Sequence, residues 1–232
     1  MTTLNPVLAP AQWRQRPIRR SGATASSVLS LFKREGIYVI IAGGYARFVV
    51  SDNDNTPPAR DIDCFFCSQE AFDKACVIMD EIGAVKVYQS ANAFSYVMPN
   101  TTEWQWTPVI QLIDPSSYRF EKTINPYSIV DAFDLNISKA FLYLVDTPAD
   151  NSEALQAMVS ESFIKDDKSN SVTTSNITSA LSTLSRLCKY AGMGYSVKQA
   201  TILNVLEFWD TIKTEDRKTI LEKAKAGLEY GY

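Results

Sequence analysis

The first clear pattern falls in residues 26–34. There Val28, Leu29, Leu31 and Phe32 share one side of a helical projection, and Gly36 follows as a stop. Residues 38–42 form a short, continuous apolar run rich in β-formers and predict a buried strand. Gly43-Gly44 breaks that run. Residues 45–50 then predict a short helix, 51–58 a loop and 62–66 a second strand. Helical spacing returns over 69–82 through Phe72, Cys76, Met79 and Ile82. Residues 85–89 and 94–98 predict two strands joined by Ser90-Ala91-Asn92, 100–106 a turn, and 109–113 a strand ended by Pro115. Pro126 suits the first position of a helix running to residue 130. Residues 133–137 alternate apolar and polar and predict a strand, and the chain beyond reads as helix.

Between residues 147 and 177 the chain grows rich in Ser, Thr, Asn and Asp, which predicts a domain boundary. Past it, Leu181, Leu184, Leu187 and Cys188 mark one helix, and 197–209 and 214–228 mark two more. No internal repeat is visible. The expected organisation is a basic arm over 1–22, an α/β (α+β) head over 23–150 with a mixed sheet flanked by helices, a linker over 151–176, and a small C-terminal helical domain over 177–232. A chain of 232 residues is ample for that. With 46% hydrophobic and 21% charged residues it reads as soluble and globular. No apolar run reaches membrane-spanning length, and the start lacks the apolar stretch of a signal peptide, so a cytoplasmic setting is expected.

Composition narrows the chemistry. The chain has no histidine, which excludes Ser-His-Asp and Cys-His sites and a histidine general base. Cys64 and Cys67 form a C-x-x-C, but no second pair and no histidine completes a zinc site. Together with Cys76 and Cys188 they read as reduced structural thiols. The net charge of −3 makes no global case for nucleic acid, yet its distribution is uneven. Arg14, Arg16, Arg19, Arg20, Lys33 and Arg34 all precede the first acidic residue, Glu35. Such an arm suits either phosphate contacts with RNA or tRNA, or a solvated tail.

The stretch with most chemistry joins Gly43-Gly44 to Asp61 and Asp63. Residues two apart in a strand face the same side, so both carboxylates project together. Hard cations such as Mg²⁺ or Mn²⁺ take oxygen ligands and leave positions for phosphate. A glycine pair lets backbone approach a ligand closely, and its N–H groups at a helix start can cradle phosphate. D-x-D alone is common on surface strands. Here two like charges on a half-buried strand would repel without a cation, which favours a triphosphate cradle facing a pair of metal ions about 4 Å apart.

Gly43-Gly44-Tyr45-Ala46-Arg47, followed by Pro57-Pro58-Ala59-Arg60-Asp61-Ile62-Asp63, resembles the head of the DNA polymerase β-like nucleotidyltransferase superfamily. Within it the likeness is to the tRNA CCA-adding enzymes and bacterial poly(A) polymerases, with their G-G-x-V-R-D and basic-D-x-D segments. Phe48 stands where that family has aspartate. Asp134 to Ala140 is similar to the family's R-D-F-T-I-N-A, with Phe133 in place of the arginine. Arg186 to Tyr195 is similar to the end of R-x-x-R-F-A-x-x-L-G-F, while Ser179, Ala180 and Thr183 stand where the family reads the base. Set against that family, the sequence reads as lacking the long tRNA-binding tail. Val109-Ile110-Gln111-Leu112-Ile113, followed by the expected strand at Phe133-Asp134, also resembles compact nucleotidyltransferase-like proteins of phages and large DNA viruses, which would place the chain in a host cytoplasm.

The resemblance implies Mg²⁺- or Mn²⁺-dependent transfer of a nucleoside monophosphate from an NTP to a hydroxyl, on RNA. Asp61 and Asp63 would hold metal, and Gly43, Gly44, Arg47, Arg60, Arg186 and Lys189 would meet the nucleotide. Arg186 and Lys189 also read as an ordinary polar helix face. The superfamily usually has a third carboxylate on a neighbouring strand. Asp134 is expected there because it alternates with Asn136 opposite Leu135 and Ile137; Asp114 reads as a turn cap, and Gln111 competes for the place. Two other readings fit the same residues: a catalytically reduced protein with a binding or structural role on this scaffold, and an enzyme that nucleotidylates a protein or tRNA.

Overall fold

A computed structural model of the chain describes residues 9–99, 108–118, 124–147 and 152–225. The turn expected over 100–106, the start of the basic arm and the end of the last helix lie outside the described residues.

Ten strands and eight α-helices are found among these residues. In chain order they are β1 (Trp13–Arg16), α1 (Ala23–Arg34), β2 (Val39–Ala42), α2 (Gly44–Val50), β3 (Asp61–Phe66), α3 (Gln69–Glu81), β4 (Val85–Gln89), β5 (Ala93–Val97) and β6 (Val109–Ile113). They continue with α4 (Pro126–Asp131), β7 (Ala140–Thr147), β8 (Ser152–Ser160), α5 (Glu161–Lys168), β9 (Ser171–Val172), α6 (Ala180–Gly192), β10 (Ser196–Val197), α7 (Gln199–Thr211) and α8 (Thr214–Lys225).

Eight strands form one mixed sheet in the order β1-β8-β7-β2-β3-β6-β5-β4. Only β3 and β6 run parallel within it; β9 and β10 make a separate parallel pair. One face carries Ile41, Ile62, Cys64, Phe66, Ile110 and Leu112, packed against Val28, Leu29 and Phe32 of α1, Val49 of α2, and Phe72 and Met79 of α3. That apolar cluster runs on into Leu187 of α6 and Val205 of α7, so the C-terminal helices share the core of the sheet. The other face carries Ile40, Ala42 and Phe141 under Ile129 and Val130 of α4, with Trp13 of β1.

Helix starts follow the side chains present. Ser68 caps α3 through Ala71 N, and Asn125 and Ser128 form a reciprocal capping box with Pro126 at the start of α4.

Three expectations are corrected. Residues 140–147, read as helix, are β7, whose apolar, β-branched and aromatic run suits a central strand. Residues 133–137, read as a strand, give a single bridge at Leu135 and a 3₁₀ turn over Asn136–Ser138, because the Asn136 and Ser175 side chains bond each other there. Residues 152–160, assigned to a linker, are β8, seated between β7 and β1 along its length; its serines lie at the ends, and Ser160 caps α5.

Candidate functional site

The site grows from the junction of β2 and α2. Gly43 has φ of 75° and ψ of −134°, a conformation that side chains other than glycine rarely adopt. A Cβ built on Gly43 would lie 3.4 Å from the Asp63 Oδ2, so this backbone lies directly against the carboxylate. Gly44 opens α2, and a Cβ there would meet nothing within 4 Å. The first glycine is needed by the turn; the second leaves open space beside it.

Antiparallel pairing sets Ala42 opposite Asp63. Along β3, Ile62, Cys64 and Phe66 enter the core while Asp61, Asp63 and Phe65 face the other side. Parallel pairing with β6 then places Val109 beside Asp61 and Gln111 beside Asp63. The Asp63 carboxyl is pushed up to about 7, first by burial and then by the negative charge of Asp61; Lys189 opposes that shift. Lys189, exposed on α6, is thus near enough to act on Asp63 through its charge.

The head holds α6 by polar contacts at three of its residues. Asp134, 9% exposed, pairs with Arg186 at 2.6 Å and accepts a hydrogen bond from the Thr183 hydroxyl. Ser138 and Tyr190 share a hydroxyl–hydroxyl bond of 2.9 Å. Arg47 of α2, 3% exposed, donates to the Tyr195 hydroxyl at 2.8 Å and stacks on the rings of Tyr190 and Tyr195. These contacts fix the helix from which Lys189 projects.

Asp61, Asp63, Gly43 and Gly44 therefore come together, and the charge of Lys189 reaches Asp63. Arg60 is exposed immediately before Asp61. Arg47, expected at the nucleotide, is buried in the seam between α2 and the end of α6. Arg186 is spent on Asp134. Asp134 in turn gives its lone pairs to α6, and the strand place expected for it belongs to Gln111. Asp114 caps a 3₁₀ turn through Ser116 N, as a turn aspartate should.

The basic arm is also corrected. Arg16 pairs with Asp52 and Asp167, Arg19 with Asp52 at 2.8 Å, and Arg14 with Glu161 at 2.6 Å. Arg20 donates to the carbonyls of Phe48, Ser51 and Asn53. These arginines lash β1 and its exit to the loop after α2 and to α5 instead of forming a free phosphate-binding tail.

Sequence reasoning missed Lys139. It is 5% exposed, donates to the Asp131 carbonyl at 2.8 Å, and has its pKa pulled down by burial. Its only sequence signal was a charge set directly before an apolar run. The four cysteines are free, and burial pushes the Cys67 thiol up to about 11.

A hard divalent cation fits the pair. The donors are oxygens, two carboxylates share one face, and the adjacent backbone lacks a Cβ. Among the described residues no group of three His, Cys, Asp or Glu side chains converges as a metal cluster. No helix among them is long and apolar enough to cross a membrane.

No family model matches the chain, and no curated protein matches it. Solved structures do. A CCA-adding enzyme in complex with ATP aligns with a TM-score of 0.53 at 15% identity, covering 88% of this chain and 47% of that one. A tRNA-processing enzyme in an apo form gives 0.53 at 12% identity, covering 85% and 49%. The Thermotoga maritima CCA-adding enzyme complexed with tRNA gives 0.50 at 13% identity, covering 96% and 52%. This chain spans about half the length of those chains. At such identities the likeness is one of fold, and the chain has a nucleotidyltransferase-like fold.

Proposed function

We propose that this chain is a divalent-cation-dependent nucleotidyltransferase acting on RNA. The acceptor hydroxyl oxygen forms a bond to the α-phosphorus of an NTP. The bond from that phosphorus to the oxygen bridging the β-phosphate breaks, pyrophosphate leaves with the electron pair, and the hydroxyl proton is lost to solvent. The observation that carries the reading is the Asp61–Asp63 pair, facing one way against a bare Gly43 backbone.

Each residue has a task in this reading. Asp61 and Asp63 hold Mg²⁺ or Mn²⁺, which when bound supplies charge stabilisation at the triphosphate and a lower pKa for the acceptor hydroxyl. Gly44 leaves room for phosphate to meet backbone N–H groups. Lys189 and Arg60 offset phosphate charge. Asp134, Arg186, Arg47 and Ser138 position α6. The sheet from β1 to β8 forms the head of this arrangement, and α6 and α7 pack into its core. The structural neighbours were solved with ATP, CTP and tRNA, which supports an NTP as donor and RNA as acceptor.

The test is incubation with each α-labelled NTP, Mg²⁺ or Mn²⁺, and separate pools of RNA and protein. Label on RNA supports the proposal. Label on protein alone overturns the choice of acceptor. NTP binding without any transfer overturns the enzyme and leaves a binding protein.

A further inference from the structure

We propose that this site takes a single divalent cation, brought in by the triphosphate, and that Gln111 sets that number. The inference rests on the reading of the Asp61–Asp63 face as a triphosphate site.

β3 and β6 are parallel neighbours, and Asp63 pairs with Gln111. Paired residues on adjacent strands project on the same side, about 5 Å apart, so the Gln111 amide stands within reach of any ion or phosphate at Asp63. Beyond it in the same row is Ser95 of β5, and beside Asp61 is the apolar Val109. Both remaining candidates for a third carboxylate are occupied elsewhere, Asp134 with Thr183 and Arg186, and Asp114 with Ser116 N. This face of the sheet thus offers two carboxylates, both from β3, and one neutral amide from β6.

Charge and spacing follow. Before a triphosphate arrives, two divalent cations would set four positive charges against two carboxylates. Asp61 and Asp63 are two residues apart along a strand, a rise of about 6.6 Å. A metal pair about 4 Å apart needs ligands that bridge it, and a third carboxylate beside Asp63 would be such a ligand. Gln111 offers a neutral oxygen in its place, and Lys189 already lowers the negative potential at Asp63. Mg²⁺ is commonly held by one or two carboxylates plus substrate phosphates, which is the donor set left here. The amide also has a use of its own. Its N–H₂ can donate to a phosphate oxygen, which a carboxylate in the same place would repel.

Equilibrium dialysis with Mn²⁺ and a non-hydrolysable α,β-methylene NTP tests this, with bound metal and bound analogue both counted. The expected ratio is one Mn²⁺ per analogue in the native chain, with no stoichiometric Mn²⁺ in its absence. Gln111→Asp or Gln111→Glu should raise the ratio to two. Gln111→Ala should keep it at one while weakening the analogue about tenfold, the loss of one charged hydrogen bond. A ratio of two in the native chain overturns the inference, as does a ratio of one in folded Asp and Glu variants. Failure of the native chain to bind the analogue with any metal overturns the triphosphate site itself and is a different result from a wrong count.

Discussion

Arg47 and Tyr195, separated by 148 residues in the chain, are joined by a buried hydrogen bond of 2.8 Å. The guanidinium also lies 5.0 Å from the Tyr190 ring centroid and 5.5 Å from that of Tyr195. Its Nε has no hydrogen-bond partner among the described residues. The arginine therefore works as a stacked, partly bonded cation that holds α2 to the end of α6. Arg47→Met should cost about 2–3 kcal/mol, from a lost hydrogen bond and two desolvated ring contacts. Arg47→Lys should not restore it, because an ammonium lacks the spread of the guanidinium fork needed to reach the Tyr195 hydroxyl while staying near both rings. Urea unfolding of the two variants measures this; equal stability of native and Lys forms would show that the stacking is idle.

The two glycines should separate on substitution. Gly43→Ala forces a side chain into a positive-φ conformation and should cost about 1–3 kcal/mol. Gly44→Ala, in helical backbone with open space around it, should change stability by less than about 1 kcal/mol. Gly44→Val should stay folded yet bind NTP at least about tenfold more weakly, since its branches occupy the space kept for phosphate. Unchanged NTP affinity in a folded Gly44→Val protein would remove Gly44 from the cradle.

Asp63 makes stability depend on pH. In the unfolded chain its carboxyl titrates near 3.8, and in the fold near 7. Between those values unfolding releases a proton, so stability falls as pH rises towards 7 and is level above it. Asp63→Asn removes that loss. Without divalent cations, the variant should match the native chain near pH 4 and exceed it by up to about 4 kcal/mol at pH 8. Unfolding free energies at both pH values check the sign. A variant no more stable at pH 8 than at pH 4, relative to native, would contradict the buried, repelled carboxyl.

Asp134 is bonded to α6 through Thr183 and Arg186. Asp134→Ala leaves Thr183 and Arg186 without their acceptor and should cost about 2–3 kcal/mol. Because Lys189 rides on the same helix, NTP affinity should fall too. Arg186→Ala should cost less, because that side chain is 41% exposed. Paired unfolding and NTP-binding measurements test both effects; unchanged affinity in a folded Asp134→Ala protein would show that α6 does not position Lys189.

The unit from β2 through the glycine pair to β3 was legible because its signals are local. Short apolar runs, a Gly-Gly break and an i, i+2 carboxylate pair need no knowledge of distant chain. β7 was not legible, because a strand buried on both faces is a continuous apolar run with no period to tell it from a helix. β1 was obscured by its own arginines, whose partners Asp52, Glu161 and Asp167 are remote in sequence. Arg47 was visible as a motif residue, but its burial depends on Tyr190 and Tyr195, well over a hundred residues away. Asp134 looked like a strand carboxylate until side-chain bonds from Asn136, Ser175 and Thr183 took over its neighbourhood. Gln111 could be named as a competitor from the sequence; only the parallel register of β3 and β6 settles that it stands beside Asp63.

The claim on which the rest depends is that a cation and a triphosphate meet at Asp61 and Asp63. Replacing Mg²⁺ with Fe²⁺ and adding ascorbate generates radicals that cut the backbone next to the bound metal. With an NTP present, cuts should cluster at Gly43–Gly44, at Asp61–Asp63 and near Gln111, and should vanish in Asp61→Ala and Asp63→Ala. Cuts confined to the arginine-lashed strand β1 or to the Asp134 seam, or a pattern that survives both substitutions, would contradict the account.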